Sequence, residues 1–290
     1  MGLIAKRSSG NRGDRVGRGT YGVDGGFAGL AVFGTAAAGL AGAAAWAARR
    51  RRPAVAVLAG GGCAVVAASA ASFLYSTGPG KRALWTRLLD ELDLRGDEHV
   101  LDVGCGRGAV LILAARRLPA GRAVGADIWR RRDQNGNSRA ATERNAEAEG
   151  VLDRVELVDA DARALPFAPA SFNLVVSSLA ISNISDADGR DRALREAVRV
   201  LRPGGRIRIV DEGADRYATV LRDVGCTDVA VHPLGWRAWY GRPGLSFPLV
   251  TATRPGTDCG RARSQRDFAT SACRSGLDAA RRHLFTATFR

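Results

Sequence analysis

At 290 residues the chain has room for one catalytic domain of about 100 to 200 residues plus appendages, which argues against several domains. Its formal charge of +14 invites a nucleic-acid reading, but nine basic against two acidic residues lie in 1–52 and eight against three in 254–290, leaving only +2 for 53–253. A nearly neutral centre argues against nucleic acid as a partner, and five cysteines without a CxxC pair, with three histidines, give neither a zinc-ligand pattern nor a disulfide framework.

Residues 1–24 are rich in glycine and arginine and poor in large apolar side chains, so a flexible basic tail is expected there. The composition then changes abruptly. Neither 25–48 nor 53–75 contains a charged residue, and each is long enough as a helix to cross a hydrocarbon core of ~30 Å. The pair predicts a membrane hairpin over 25–75, with the lipid bilayer as its partner. Gly34, Ala38 and Gly42 recur every four positions, which lets a second helix approach closely. Two spans place both chain ends on one side, where Lys6, Arg7, Arg12, Arg15, Arg18, Lys81, Arg82 and Arg87 outnumber the four arginines at 49–52. That bias predicts a cell-membrane protein with its domain facing the cytoplasm. The arginine-loaded loop keeps a re-entrant or single-span arrangement open.

After the turn at 76–80, Leu84, Leu88, Leu89 and Leu92 share one helical face. Strand patterns follow at 100–103, 123–126, 155–158, 174–177, 207–210, 227–231 and 249–252, with helical patterns at 110–118, 138–150, 188–201 and 215–224. Such alternation predicts an α/β domain over 78–255, a mostly parallel sheet with helices on both faces. Residues 256–290 show no strand alternation and one weak helical stretch, so a disordered tail is expected.

The chemistry concentrates in Val100-Leu101-Asp102-Val103-Gly104-Cys105-Gly106-Arg107-Gly108, a buried strand running into a glycine turn and then a helix. Glycines let the backbone approach a ligand. Taken alone, Gly104, Gly106 and Ala109 also satisfy the dinucleotide pattern, and Asp127, 23 residues after Gly104, suits a ribose of either NAD or S-adenosylmethionine (SAM). Two further carboxylates favour SAM. Asp102 stands where it can meet an ammonium, a group SAM has and NAD lacks, and Asp161, followed by Ala162, can receive an adenine amino group. Cys105 reads as a small loop filler, and Asp211 as either a site residue or a solvated strand end.

These stretches, together with Asp159-Ala160-Asp161-Ala162-Arg163-Ala164-Leu165-Pro166-Phe167 and Arg199-Val200-Leu201-Arg202-Pro203-Gly204-Gly205, resemble class I SAM-dependent methyltransferases, in particular the type 11 group that includes quinone-biosynthesis enzymes. The resemblance implies a Rossmann-like seven-stranded sheet, with SAM at the C-terminal edges of its first strands. Carried over by position, Asp102, Gly104, Cys105, Gly106 and Gly108 would hold the methionyl part. Asp127 with Ile128 would hold the ribose and adenine, and Asp161 with Ala162 the adenine edge. Ser177 and Ser178 would end the fourth strand beside the sulfonium. The chain departs from the family at Asn173, where aspartate is usual, and at Ser182-Asn183, where histidines are common.

Methyl transfer is an in-line displacement at a carbon activated by its sulfonium, so alignment supplies much of the rate and no metal is needed. Nitrogen-directed relatives commonly carry Asn-Pro-Pro-Tyr after the fourth strand; here Ser178-Leu179-Ala180-Ile181 stands instead, which favours an O- or C-acceptor. A small acceptor is expected, and the hairpin favours a lipophilic one. The alternatives are a SAM sensor or scaffold without turnover, an NAD-dependent oxidoreductase and an RNA methyltransferase.

Overall fold

The computed structural model describes residues 19–24, 28–241 and 246–256. The two uncharged runs form helices α1 (Ala28–Arg49) and α2 (Pro53–Thr77), joined by a tight turn through which the chain doubles back. Their 22 and 25 residues give lengths of ~33 and ~38 Å, and both are long and apolar enough to cross a membrane. Val32, Val55, Val57, Leu58 and Val65 on them are exposed, whereas the large apolar side chains of the following domain are mostly buried. Only Gly78 separates α2 from α3 (Pro79–Asp90), so the hairpin feeds directly into the domain.

Seven strands follow: β1 (His99–Val103), β2 (Arg122–Asp127), β3 (Val155–Asp159), β4 (Phe172–Ser178), β5 (Leu201–Val210), β6 (Thr227–His232) and β7 (Leu249–Thr253). They form one sheet in the order β3-β2-β1-β4-β5-β7-β6, parallel except for β7, which runs antiparallel to both neighbours. Helices α4 (Ala109–Ala115), α5 (Arg139–Ala148), α6 (Ala187–Val200) and α7 (Ala214–Asp223) complete the layers. Period-two alternation divides the core between the two faces: Val100, Leu174 and Val176 pack with α3 and α4, while Leu101, Val103 and Val175 pack with α6 and α7. The expected doubly covered α/β sheet is therefore present.

Two differences from the sequence-based expectation stand out. β5 begins at Leu201, six residues before the apolar alternation starts, because the Pro203-Gly204-Gly205 backbone pairs without needing apolar side chains. Leu201 sits opposite Phe172, Gly204 N–H donates to the Arg254 carbonyl at 2.8 Å and Arg254 N–H returns to Gly205 at 2.8 Å. The second difference lies in the tail. Residues 19–24, too polar to be expected in a packed segment, lie against α5: Thr20 N–H donates to Asn145 Oδ1 at 3.0 Å, Asn145 Nδ2 donates back to the Thr20 carbonyl at 3.0 Å, and Tyr21 hydroxyl donates to Glu149 at 2.8 Å. Polar pairing fixes this segment together with the Tyr21 ring, which packs against the core beneath the Arg82 guanidinium. The rest of the tail, 1–18, and the tail expected beyond Gly256 fall outside the described residues.

Candidate active site

A parallel sheet leaves its strand ends free of neighbours where the order reverses, and here a cleft of about 900 Å³, open mouth included, lies over the C-terminal ends of β1, β2 and β4. The loop after β1 forms its floor. Gly104, at φ +72°, donates its N–H to the Ala126 carbonyl at 2.8 Å; a Cβ there would fall 2.1 Å from the Ala180 Cβ. Gly106, at φ +52°, also adopts the left-handed backbone, and a Cβ there would meet the flexible end of Gln134 at 2.5 Å. Only glycine gives this backbone its path.

Asp127 ends β2 and props the loop. One of its oxygens accepts the Gly106 N–H at 2.8 Å and the other accepts the Trp129 N–H at 2.6 Å. Burial pushes its carboxyl up, opposed by those bonds. Asp102 is buried and lines the cleft, yet its Oδ2 has no hydrogen-bond partner among the described residues. Burial pushes this carboxyl up to about 7; Asp127 adds to the rise, while a backbone bond from Leu111 and the charge of Lys81 oppose it. An unpaired buried carboxylate costs free energy unless a ligand supplies the donor.

Asp161 and Ala162 line the cleft beyond β3. The Asp161 carboxylate is already engaged by Arg163, with Nε 3.0 Å from Oδ1 and Nη2 2.6 Å from Oδ2, and that bond holds it below the usual carboxylate range. Cys105 and Ile128 line the cleft as well, and burial raises the Cys105 thiol well above its ordinary value, consistent with a filler. Ser178 lines it too, its hydroxyl accepting the Trp85 indole N–H at 3.0 Å.

Two expected residues are not in the lining. Ser177 points to the opposite side of β4 from Ser178, and its hydroxyl donates to the Val103 carbonyl at 2.9 Å. Gly108, at φ +84°, caps α4 and packs on Thr142. Asp211 is fully buried, which overturns the solvated strand end: its Oδ2 accepts the N–H groups of Ile181 and Ser182 at 2.9 and 3.1 Å, fixing the turn that walls the cleft. Sequence reasoning missed Asp24, Lys81, Gln134 and Asn137, all in the lining. Among the described residues no group of three or more His, Cys, Asp or Glu is placed to hold a metal ion.

Residues 100–205 match the family described as "Methyltransferase domain". The matched stretch carries β1 to the start of β5 and most of the residues that line the cleft, behind the two apolar helices. The chain is similar to Methyltransferase GfsG of Streptomyces halstedii, 38% identical over 49% of this chain and 49% of the relative. It also resembles the ubiquinone/menaquinone biosynthesis C-methyltransferase UbiE of Hahella chejuensis, 36% identical over 46% of this chain and 50% of the relative. The 27-O-demethylrifamycin SV methyltransferase of Amycolatopsis mediterranei is 34% identical over 51% of this chain and 53% of the relative. The chain thus spans about half the length of these curated relatives. Among solved structures, a SAM-dependent methyltransferase from Aquifex aeolicus superposes with a TM-score of 0.47 at 18% identity, covering 58% of this chain and 88% of that one.

Proposed function

We propose that the protein is a membrane-anchored methyltransferase that transfers the methyl group of SAM to an oxygen or carbon of a small, lipophilic acceptor on the cytoplasmic side of the cell membrane. The observation that carries this is continuity: α2, an exposed apolar helix, passes through Gly78 straight into α3, and α3 supplies Lys81 to the cleft and, through Trp85, a hydrogen bond to Ser178 of its lining. An acceptor dissolved in the bilayer would reach the cleft along that helix without crossing water. More Lys and Arg on the domain side than in the arginine turn supports the orientation. The C- and O-directed names of the relatives support the acceptor atoms.

The residues present fit the cofactor. The glycine floor leaves space that any Cβ would fill, and Asp102 offers a buried, unpaired oxygen to an ammonium. Gly104, Cys105 and Gly106 would hold the amino-acid end, Asp127 and Ile128 the ribose, Asp161 and Ala162 the adenine edge, and Ser178 would stand beside the sulfonium. When bound, SAM supplies a methyl group whose sulfur leaves without charge. The protein's contribution is then alignment and exclusion of water by the wall at Leu179, Ala180 and Ile181.

Incubating full-length protein and labelled SAM with membrane and soluble extracts separately tests the reading. Label in an organic-extractable small molecule from membranes is the expected result. Label confined to RNA, protein or water-soluble metabolites would overturn the lipophilic acceptor, and binding of SAM without any labelled product would favour a sensor.

A further inference from the structure

Lys81, in the first turn of α3, is buried and lines the cleft with Asp102. Its ammonium is 2.6 Å from Asp24 Oδ2, and among the described residues no other carboxylate lies within ion-pair distance of it. Asp24 arrives from the segment before the hairpin. That segment is pinned upstream by Thr20, Tyr21 and the Val23 carbonyl, which accepts the Asn135 N–H at 3.2 Å. Asp24 itself has looser bonds: Gln134 Nε2 and the Tyr240 hydroxyl both donate to it from 3.3 Å. The Lys81 contact is therefore its one short bond.

The amino-acid end of SAM carries an ammonium and a carboxylate on adjacent carbons. A buried site for it needs an anion and a cation side by side, because neither ligand charge can be left unpaired out of water. Asp102 is the unpaired anion, and Lys81 is near enough to oppose the rise of its carboxyl. Asp24 now neutralises that cation with a carboxylate of its own.

We infer that Lys81 is the counter-ion for the cofactor's carboxylate, and that Asp24 occupies Lys81 as a stand-in until the cofactor enters. The inference rests on the SAM reading proposed above. It makes the segment before the hairpin a competitor that weakens cofactor binding.

Calorimetry on the full chain in detergent, with S-adenosylhomocysteine and with 5′-methylthioadenosine, separates the two ideas, because the second ligand keeps the nucleoside and lacks the amino-acid end. Lys81→Met should weaken S-adenosylhomocysteine roughly tenfold or more, the loss of a charged hydrogen bond, and leave methylthioadenosine unchanged. Methylthioadenosine binding also reports that the variant is folded. Asp24→Asn should tighten S-adenosylhomocysteine a few-fold and again leave the shorter ligand unchanged. Unchanged S-adenosylhomocysteine in Lys81→Met overturns the inference, as does an equal loss of both ligands in a folded variant. Should Lys81→Met not fold, Asp24→Asn decides alone: weaker S-adenosylhomocysteine binding would make Asp24 part of the site and end its role as competitor. A wild-type protein that binds neither ligand removes the cofactor reading and this inference with it.

Discussion

The indole N–H of Trp85 donates to the hydroxyl of Ser178 at 3.0 Å, tying the helix that leaves the apolar hairpin to the last residue of β4. Trp85 is fully buried, while Ser178 is half-buried at the cleft. Trp85→Phe keeps much of the ring volume and removes the donor. It should lower stability by about 1 kcal/mol, the usual net value of such a bond. Thermal unfolding in detergent measures this, and an unchanged midpoint would show that packing alone holds α3 to the sheet.

The Asp102 carboxyl, pushed up to about 7 by burial, gives a pH dependence of definite sign. Between about pH 4 and that value the unfolded chain releases a proton that the folded chain retains, so the free protein loses stability as pH rises through the window. Asp102→Asn should remove that part of the slope. An ammonium ligand favours the ionised carboxylate, so S-adenosylhomocysteine affinity should rise by at most about tenfold per pH unit below the midpoint and level off above it. Titrations near about pH 6 in two buffers of different ionisation enthalpy should detect a proton released on binding. No release there would mean that Asp102 stays neutral beside the ligand.

Gly104→Ala is expected to abolish cofactor binding. The backbone at φ +72° costs a non-glycine residue about 1 to 2 kcal/mol, and the new Cβ would collide with Ala180. Relief requires the loop or the wall at Ala180 to move, and both line the cleft. A variant that binds methylthioadenosine as well as wild type does would show the floor to be more pliant than its contacts imply.

Asp127 both props the glycine loop and faces the cleft, so its two roles separate by substitution. Asp127→Ala should weaken S-adenosylhomocysteine by about 1 to 3 kcal/mol, through lost ribose bonds and a loosened Gly106. Asp127→Asn keeps one acceptor oxygen and should fall between. Equal affinity for all three proteins, measured by calorimetry, would remove Asp127 from the site.

The sheet and its glycine floor were legible because their signals are local: alternating apolar residues mark each strand, and glycines mark the turn that no side chain can enter. Adjacent Ser177 and Ser178 could also have been told apart, since neighbouring strand residues face opposite sides. Other parts depend on contacts between distant segments. Nothing near Asp211 in sequence indicates that its carboxylate holds the Ile181 and Ser182 amides. Nothing in the polar run at 19–24 indicates that Asn145 and Glu149 of the α5 region will order it. The start of β5 was hidden because glycine and proline carry no side-chain period.

The placement of Asp24 and Lys81 on either side of both apolar helices has a consequence for how the protein comes into being. Synthesis delivers Asp24 first, then α1 and α2, and only then the lysine that meets it. The two charges can pair only after the intervening chain has turned back on itself, so the cleft is complete only once α1 and α2 have closed into their hairpin. Closing of the hairpin and completion of this side of the cleft are thereby one event in the life of each molecule.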